Sequence, residues 1–140
     1  MAFIDHIKAK AKQDKQAIVL PETKDKRTLI AAAQVLKEGT ADIIMVGKEE
    51  KIMDGANWLD VDLTGVKVVD PDTDPKLDEY VKVLYELRKH KGMTEEKARE
   101  ILTTDWLTYG VMMVKQKDAD GMVAGACHST ADTLRPALQI

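Results

Sequence analysis

The sequence predicts an α/β domain with three layers, in which a mostly parallel sheet lies between two layers of helices. The first observation behind this prediction is that short apolar runs recur along the chain, over residues 17–20, 43–46, 66–69 (interrupted by Lys67) and 122–124. The second is that stretches with helical amphipathic spacing separate these runs. Unbroken apolar strands that alternate with helices are typical of parallel sheets covered on both faces. Ligands of such sheets bind beyond the carboxyl ends of the strands.

The composition indicates a single globular domain of ordinary type. A chain of 140 residues is long enough to bury a sizeable core. Its net charge of −3 gives no reason to expect a nucleic-acid partner. The only cysteine is Cys127, which rules out a disulfide framework and makes the cytoplasm the expected compartment. Lysines interrupt the apolar residues of the first segment, so neither a signal peptide nor a membrane partner is predicted.

In the first half of the chain, turn residues mark where each element ends. Pro21 closes the first strand, Gly39 stands where a helix commonly ends, and Pro71 stops the third strand. The predicted elements are a helix over 2–13, a strand over 17–20, a helix over 29–36, a strand over 43–47, a helix over 48–56 and a strand over 66–71.

The second half is predicted to be mostly helical, with one strand. Gly92 closes the first of its helices, and Thr94 with two following glutamates starts the next. The predicted elements are helices over 75–90, 94–102 and 105–117, a strand over 122–124, and a last helix that begins at Ser129 or Thr130.

The turn before the last helix is the strongest candidate site. Ser129 followed by Asp132 fits the start signature of a helix, and free N–H groups at such a start can hold an anion. The dipole contributes only about 0.3–1 kcal/mol at an exposed site. A phosphate site therefore also needs a cation, and Arg135 is close in sequence. The alternative is an ordinary strand–helix turn whose cap is already satisfied.

Cys127 and His128 suggest a thiol–imidazole pair, but their adjacency argues against it. Neighbouring residues do not normally face one another on a helix or strand, and no third orienting group is evident. A small buried cysteine is the preferred interpretation. His128 could line a pocket or merely pack.

Other binding motifs receive less support. Arg27 lies at a helix start, where a cation is unfavourable, so it either receives an anion or belongs to a solvated loop. His6, His90 and His128 share no ligand spacing and there is no second cysteine, so no metal is predicted. The chain has neither a G-x-x-x-x-G-K-[ST] loop nor a G-x-G-x-x-G motif.

Three segments carry a resemblance to a known family. DADGMVAGACHSTADTLRPALQI at the end, IVLPETKDKRTLIAAAQVLKEGTADIIMVG near the start and YELRKHKGMT between them resemble the phosphate acetyltransferases (phosphotransacetylases). Together the matches cover nearly the whole chain. The resemblance implies reversible transfer of an acetyl group between coenzyme A and inorganic phosphate, with acetyl phosphate as the other substrate and no cofactor. It also implies a homodimer of two-domain subunits related in fold to the isocitrate dehydrogenases.

The resemblance assigns roles to particular residues. Arg135 would contact phosphate or coenzyme A, and Arg88 would be a second arginine associated with coenzyme A. Ser129 and Thr130 would line the cleft for acetyl phosphate, and His128 would be a further substrate-binding residue. The family's catalytic aspartate and arginine lie in a later part of the protein. Residues 1–140 are therefore expected to be the N-terminal part of the first domain, inactive alone, with its catalytic residue unknown and with a tendency to self-associate.

Three alternatives remain open at the level of the sequence. The first is a phosphate butyryltransferase, which is closely related. The second is a non-catalytic module that binds acetyl-CoA or another effector, as in the phosphotransacetylase-like domains appended to some malic enzymes. The third is a nicotinamide-dependent dehydrogenase of the same fold family, which is disfavoured because no carboxylate cluster for its divalent metal is apparent.

Overall fold

A computed structural model describes residues 2–140, apart from the side chain of Thr130. Its seven α-helices and four strands follow one another in the predicted order, and a short 3-10 turn, Lys89–Lys91, follows the fourth helix. In chain order the elements are α1 (Ala2–Gln13), β1 (Ala17–Leu20), α2 (Lys26–Glu38), β2 (Asp42–Val46), α3 (Glu49–Leu59), β3 (Lys67–Val69), α4 (Leu77–Arg88), α5 (Glu95–Thr104), α6 (Trp106–Lys115), β4 (Gly121–Met122) and α7 (Thr130–Gln139).

The four strands form one sheet in the order β3-β2-β1-β4, and every pairing in it is parallel. β1 therefore lies inside the sheet, with β2 on one side and β4 on the other. Val19 of β1 is in register with Ile44 and Met122. The predicted α/β architecture is confirmed, and within the described residues the sheet is wholly rather than mostly parallel.

Helices cover both faces of the sheet because alternate side chains of the central strands enter two separate cores. Val19 packs with Ile44 and with α4, α5 and α6. Leu20 packs with Ile43 and with α2 and α3 on the opposite face. This two-sided burial is the physical reason why β1 is apolar throughout and β2 is apolar from Ile43 to Val46.

Some boundaries differ from the prediction for local reasons. α2 begins at Lys26, because the Asp25 side chain accepts the backbone N–H of Arg27 as an N-cap. The predicted last strand is shorter than expected. Only Gly121 and Met122 are regular strand residues, and the side chain of Val123 is 62% exposed, although its N–H still donates to Val19. The predicted stops at Gly39 and Gly92 are confirmed, with φ values of 69° and 88°.

The topology brings two distant loops together. Because β1 and β4 are parallel neighbours, the segment 21–25 after β1 lies beside the segment 123–129 after β4. We call residues 123–129 the junction loop. Buried Thr23 secures the first segment by donating its hydroxyl to the carbonyl of Val46, 2.8 Å away. In residues 2–140 there is no helix with the length and apolar character that crossing a bilayer would require.

Candidate functional site

The junction loop closes around a carboxylate that the chain itself supplies. Glu22, only 4% exposed, extends from the carboxyl end of β1 and accepts four consecutive backbone N–H groups. Its Oε1 receives those of Gly125 at 2.6 Å and Ala126 at 2.9 Å. Its Oε2 receives those of Cys127 at 2.8 Å and His128 at 3.1 Å. Successive N–H groups turned toward one anion form an anion-binding concavity. Here the carboxylate of Glu22 occupies that concavity.

The predicted seat for an external anion must therefore be corrected. The N–H groups that precede α7 are not free, because an internal carboxylate fills the place expected for a phosphate. Ser129 is the N-cap, and its hydroxyl oxygen accepts the N–H of Asp132 at 3.1 Å. The predicted role of the Thr130 side chain lies outside the described part of the chain.

These contacts decide the ionisation of Glu22. Burial by itself raises the pKa of a carboxyl group. The hydrogen bonds from His128, Cys127 and Ala126 act in the opposite direction and prevail, so the pKa of Glu22 lies well below its ordinary value. At neutral pH Glu22 is a fixed anion and a poor proton acceptor.

Glu22 also brings Cys127 and His128 together, contrary to the expectation from their adjacency. The Cys127 side chain is exposed rather than buried, and its Sγ lies 3.7 Å from Nδ1 of His128. Both groups converge on Oε2 of Glu22, Sγ at 3.1 Å and Nδ1 at 2.6 Å. The third orienting group is thus present, but another loop provides it. Even so, burial and the hydrogen bond to Glu22 raise the pKa of the Cys127 thiol to about 11.

A raised thiol pKa predicts slow alkylation of Cys127 despite its exposure. A pKa of about 11 in place of 9.0 leaves about one hundredth of the thiolate at neutral pH, and the thiolate is the reactive form. We expect Cys127 in the native protein to react with iodoacetamide about 100-fold more slowly than in the urea-unfolded chain, the matched control. Equal rates would show that the thiol is not held by Glu22.

Three predicted site residues do line one cavity. The arginine cavity, of about 420 Å³, lies where α4, α5, α6 and α7 meet. It brings together Arg88 from the end of α4, Arg135 from α7 and His128 from the junction loop. Ser129 is not among the residues that line it. The complete lining is Leu84, Arg88, Met93, Ile101, Thr104, Asp105, Thr108, His128, Asp132, Arg135, Pro136, Gln139 and Ile140.

The charges of this cavity leave its arginines available to a ligand. Arg135 is paired with Asp132 at 3.5 Å, and both side chains are more than half exposed. Exposed pairs of this kind contribute only about 0–1 kcal/mol, so a phosphate can replace Asp132 at little cost. Asp105 is engaged by the N–H and hydroxyl of Thr108, at 3.4 and 2.8 Å. Arg88 is half-buried.

A smaller cavity of about 230 Å³ adjoins the arginine cavity and shares its wall. Thr104, Asp105 and His128 line both spaces, so His128 lies at their boundary. Glu22 and Cys127 line the smaller one. A larger cavity of about 540 Å³ lies between α2 and the segment after α3, but Lys37 is the one cation that lines it, against two aspartates. The arginine cavity is the better anion site.

Arg27 proves to be a bridge between the two loops. Its guanidinium pairs with Asp25 at 2.7 Å and donates a further hydrogen bond to the carbonyl of Ala126. The anion that balances this cation at the start of α2 is therefore Asp25 of the same turn. The Arg27 side chain is nonetheless 72% exposed, so the solvated-loop alternative describes it better than a site for an external anion.

Glu22, Cys127 and His128 also form a possible set of metal donors, with one ligand atom of each within 4.8 Å of the others. The sequence predicts no metal, since it shows no ligand spacing. In the structure Oε2 of Glu22 already accepts two backbone N–H groups and two side-chain contacts. A metal ion would have to displace these donors, which weakens the set as a metal site.

Glu22 is the residue that sequence reasoning missed. The available signal was an acidic residue directly after Pro21 at the carboxyl end of a buried strand, the edge at which parallel sheets bind ligands. The hydrogen-bond partners of Glu22 could not be predicted from the sequence, because Glu22 and Gly125 are 103 positions apart.

Comparisons with known proteins point in one direction. The family model described as phosphate acetyl/butaryl transferase matches residues 2–140. The phosphate acetyltransferase of Acetivibrio thermocellus is 52% identical over 140 residues, and that of Clostridium acetobutylicum is 47% identical over the same length. Both alignments include the whole of this chain. The chain spans 41% and 42% of the length of these two relatives.

Solved structures agree with the sequence relatives. A phosphotransacetylase from Streptococcus pyogenes superposes with a TM-score of 0.91 at 37% identity, covering 99% of this chain and 42% of that one. The EutD phosphotransacetylase from Staphylococcus aureus gives a TM-score of 0.85 at 40% identity, covering 96% of this chain and 40% of that one. At these identities the likeness extends beyond the fold.

Proposed function

Because this chain belongs to the phosphate acetyl/butaryl transferase family, we propose that the protein to which it contributes transfers an acetyl group reversibly between coenzyme A and inorganic phosphate. The observation that carries the proposal is the convergence of Arg88, Arg135 and His128 on one cavity. Coenzyme A, acetyl phosphate and phosphate are all anions that guanidinium groups can bind by paired hydrogen bonds.

The reaction needs the groups that this cavity offers. The sulfur of coenzyme A, once deprotonated, forms a bond to the carbonyl carbon of acetyl phosphate. The bond from that carbon to the phosphate oxygen breaks, and the electron pair leaves with phosphate. Negative charge accumulates on the carbonyl oxygen and on the departing phosphate. Arg135 and Arg88 stabilise that charge, and removing one such fixed donor typically costs about 10²–10³ in rate.

A base must accept the proton of the coenzyme A thiol, and Glu22 cannot be that base. Its carboxylate already accepts four N–H groups, and its pKa is well below the ordinary value. Cys127, with a raised pKa, is a weak nucleophile. The family resemblance implies that the catalytic base lies outside residues 1–140, and we propose that these residues form the N-terminal part of the first domain.

We further propose that the protein is a cytoplasmic homodimer. An exposed free thiol at Cys127 suits a reducing compartment. Large apolar side chains are exposed on α1 and α7, with Phe3 74% and Leu138 84% exposed, and such surfaces favour self-association. Sedimentation equilibrium of the full-length protein would test the homodimer, and a monomer at micromolar concentration would contradict it.

The test of function uses both the 140-residue chain and the full-length protein. We expect coenzyme A to bind to each in calorimetric titration, and we expect only the full-length protein to form acetyl-CoA from acetyl phosphate. Butyryl phosphate as a parallel substrate reports the acyl preference. Binding without turnover in the full-length protein would instead identify an effector-binding module. Turnover by the 140-residue chain would place the base within it.

A further inference from the structure

We propose that Glu22 is a positioning residue for the arginine cavity. Its carboxylate fixes His128 as the tautomer protonated on Nδ1 and so leaves Nε2 of His128 for the ligand. The inference rests on the proposed function only in its last step, that the ligand is an acyl or phosphoryl substrate. The placement of the imidazole is a separate claim about this chain.

The tautomer follows from the chemistry of the contact. An ionised carboxylate can only accept hydrogen bonds. Nδ1 of His128 lies 2.6 Å from Oε2 of Glu22, so Nδ1 must carry the proton. In neutral His128, Nε2 is then the remaining acceptor, and in protonated His128 it is a second donor. His128 lines both cavities, and Nε2 is the ring nitrogen that Glu22 leaves available to a ligand there.

The same carboxylate also fixes the backbone that carries the imidazole. Four successive N–H groups of the junction loop converge on Glu22, and Gly125, with φ of 116°, allows the turn that this requires. Arg27 holds the loop from the other side through the carbonyl of Ala126. The loop leads directly into α7, which carries Arg135. Glu22 therefore orients two of the proposed binding groups without contacting substrate itself.

A carboxylate is better suited to this place than its amide. In glutamine one carboxylate oxygen becomes an NH₂ group, which would face two backbone donors of the junction loop. Glu22→Gln should therefore fail to restore the arrangement despite its similar size. A small free carboxylate, by contrast, should be able to enter the space left by Glu22→Ala and accept the same hydrogen bonds.

The experiment observes the His128 ring directly. We would record ¹⁵N spectra of the imidazole in the full-length protein, at a pH where His128 is neutral, for the wild type, Glu22→Ala and Glu22→Gln. We expect a protonated Nδ1 and a bare Nε2 in the wild type, and loss of that preference in both variants. Millimolar formate should restore the Nδ1–H tautomer in Glu22→Ala. Glu38→Ala is the matched control, because Glu38 accepts from Lys8 and Gln34 at the far end of α2.

Kinetics of the full-length protein supply the second readout. Glu22→Ala should lower kcat/KM by about tenfold or more, by analogy with metal-binding histidines, for which losing the hydrogen-bonded partner typically costs about 10-fold to 100-fold, and formate should recover part of it. A wild-type His128 with the proton on Nε2 would overturn the proposal, even if neither variant folds. So would an unchanged tautomer in Glu22→Ala. If the tautomer behaves as expected but coenzyme A does not bind to the wild type, the proposed function fails and the positioning role stands.

Discussion

Replacing Arg135 with alanine is expected to raise the dissociation constant for coenzyme A by about 10-fold to 100-fold, because a hydrogen bond to a charged group contributes about 1.5–3 kcal/mol. Arg135 lines the arginine cavity, and only an exposed pair with Asp132 competes for it. The same pair contributes little to stability, so the free energy of unfolding should change by less than about 1 kcal/mol. Calorimetric titration and urea unfolding of the same sample test both expectations.

Arg99→Ala is the matched control for this experiment. Arg99 lies on α5, pairs with Asp78 at 2.5 Å and does not line the cavity. Its loss removes the same charge from the protein as a whole and should leave the affinity for coenzyme A nearly unchanged. If both variants weaken binding equally, the effect comes from net charge and Arg135 is not in the site.

Arg88→Ala should weaken the binding of coenzyme A by a similar factor, since Arg88 reaches the same cavity from α4. The double variant Arg88→Ala/Arg135→Ala then reports whether the two guanidinium groups contact the same part of the ligand. Groups that share a partner show an interaction energy of about 0.5–3 kcal/mol in a double-mutant cycle. Strictly additive effects would show that the arginines act on separate parts of coenzyme A.

Glu22→Ala is expected to lower the free energy of unfolding by about 1.5–3 kcal/mol at neutral pH, the range for hydrogen bonds to a charged group, because the junction-loop residues that lose their acceptor are mostly exposed and can bind water instead. The loss leaves four N–H groups of the junction loop and Nδ1 of His128 without their acceptor. Urea unfolding of wild type, Glu22→Ala and Glu38→Ala provides the measurement. A change of less than about 1 kcal/mol, the upper range for an exposed ion pair, would mean that water replaces the carboxylate without penalty.

The pH dependence of this stabilisation has a definite sign. The folded-state pKa of Glu22 lies below that of an unfolded glutamate, which is about 4.3. The stabilisation is therefore complete above the unfolded pKa and is lost as the pH falls toward the folded pKa. The difference in unfolding free energy between wild type and Glu22→Ala should shrink as the pH falls below about 4. A difference that does not shrink below that pH would contradict the ionised state of Glu22.

The order and type of the elements could be predicted because they depend on nearby residues. Thr94 caps α5 through Lys97, Ser129 caps α7 through Asp132, and Gly39 ends α2. The two residues of each of these contacts are at most four positions apart in the sequence. The start of α2 was misplaced because Asp25, inside a run of charged residues, was not recognised as its cap. The last strand was extended too far because Val123 is apolar but stands at an exposed edge.

The arginines of the cavity were predicted from a family resemblance and could not be paired from local pattern alone. Arg88 and Arg135 are separated by two helices and a strand, and helix packing is what brings them to one cavity. Arg27 shows a second limit of local pattern. Its charge at a helix start left an anion site and a solvated loop as alternatives, and the structure shows that Asp25, two residues earlier, balances this charge.

The sequence by itself determined the α/β alternation, the two-sided burial of the strands and the family to which the chain belongs, because each depends on residue types at fixed spacing. Only the tertiary structure decided what the junction loop binds. The sequence predicts that its N–H groups bind an external anion. In the structure they donate instead to Glu22, which the parallel pairing of β1 with β4 places beside them. A hydrogen bond depends on distance in space, and the separation of Glu22 from Gly125 along the chain carries no information about that distance.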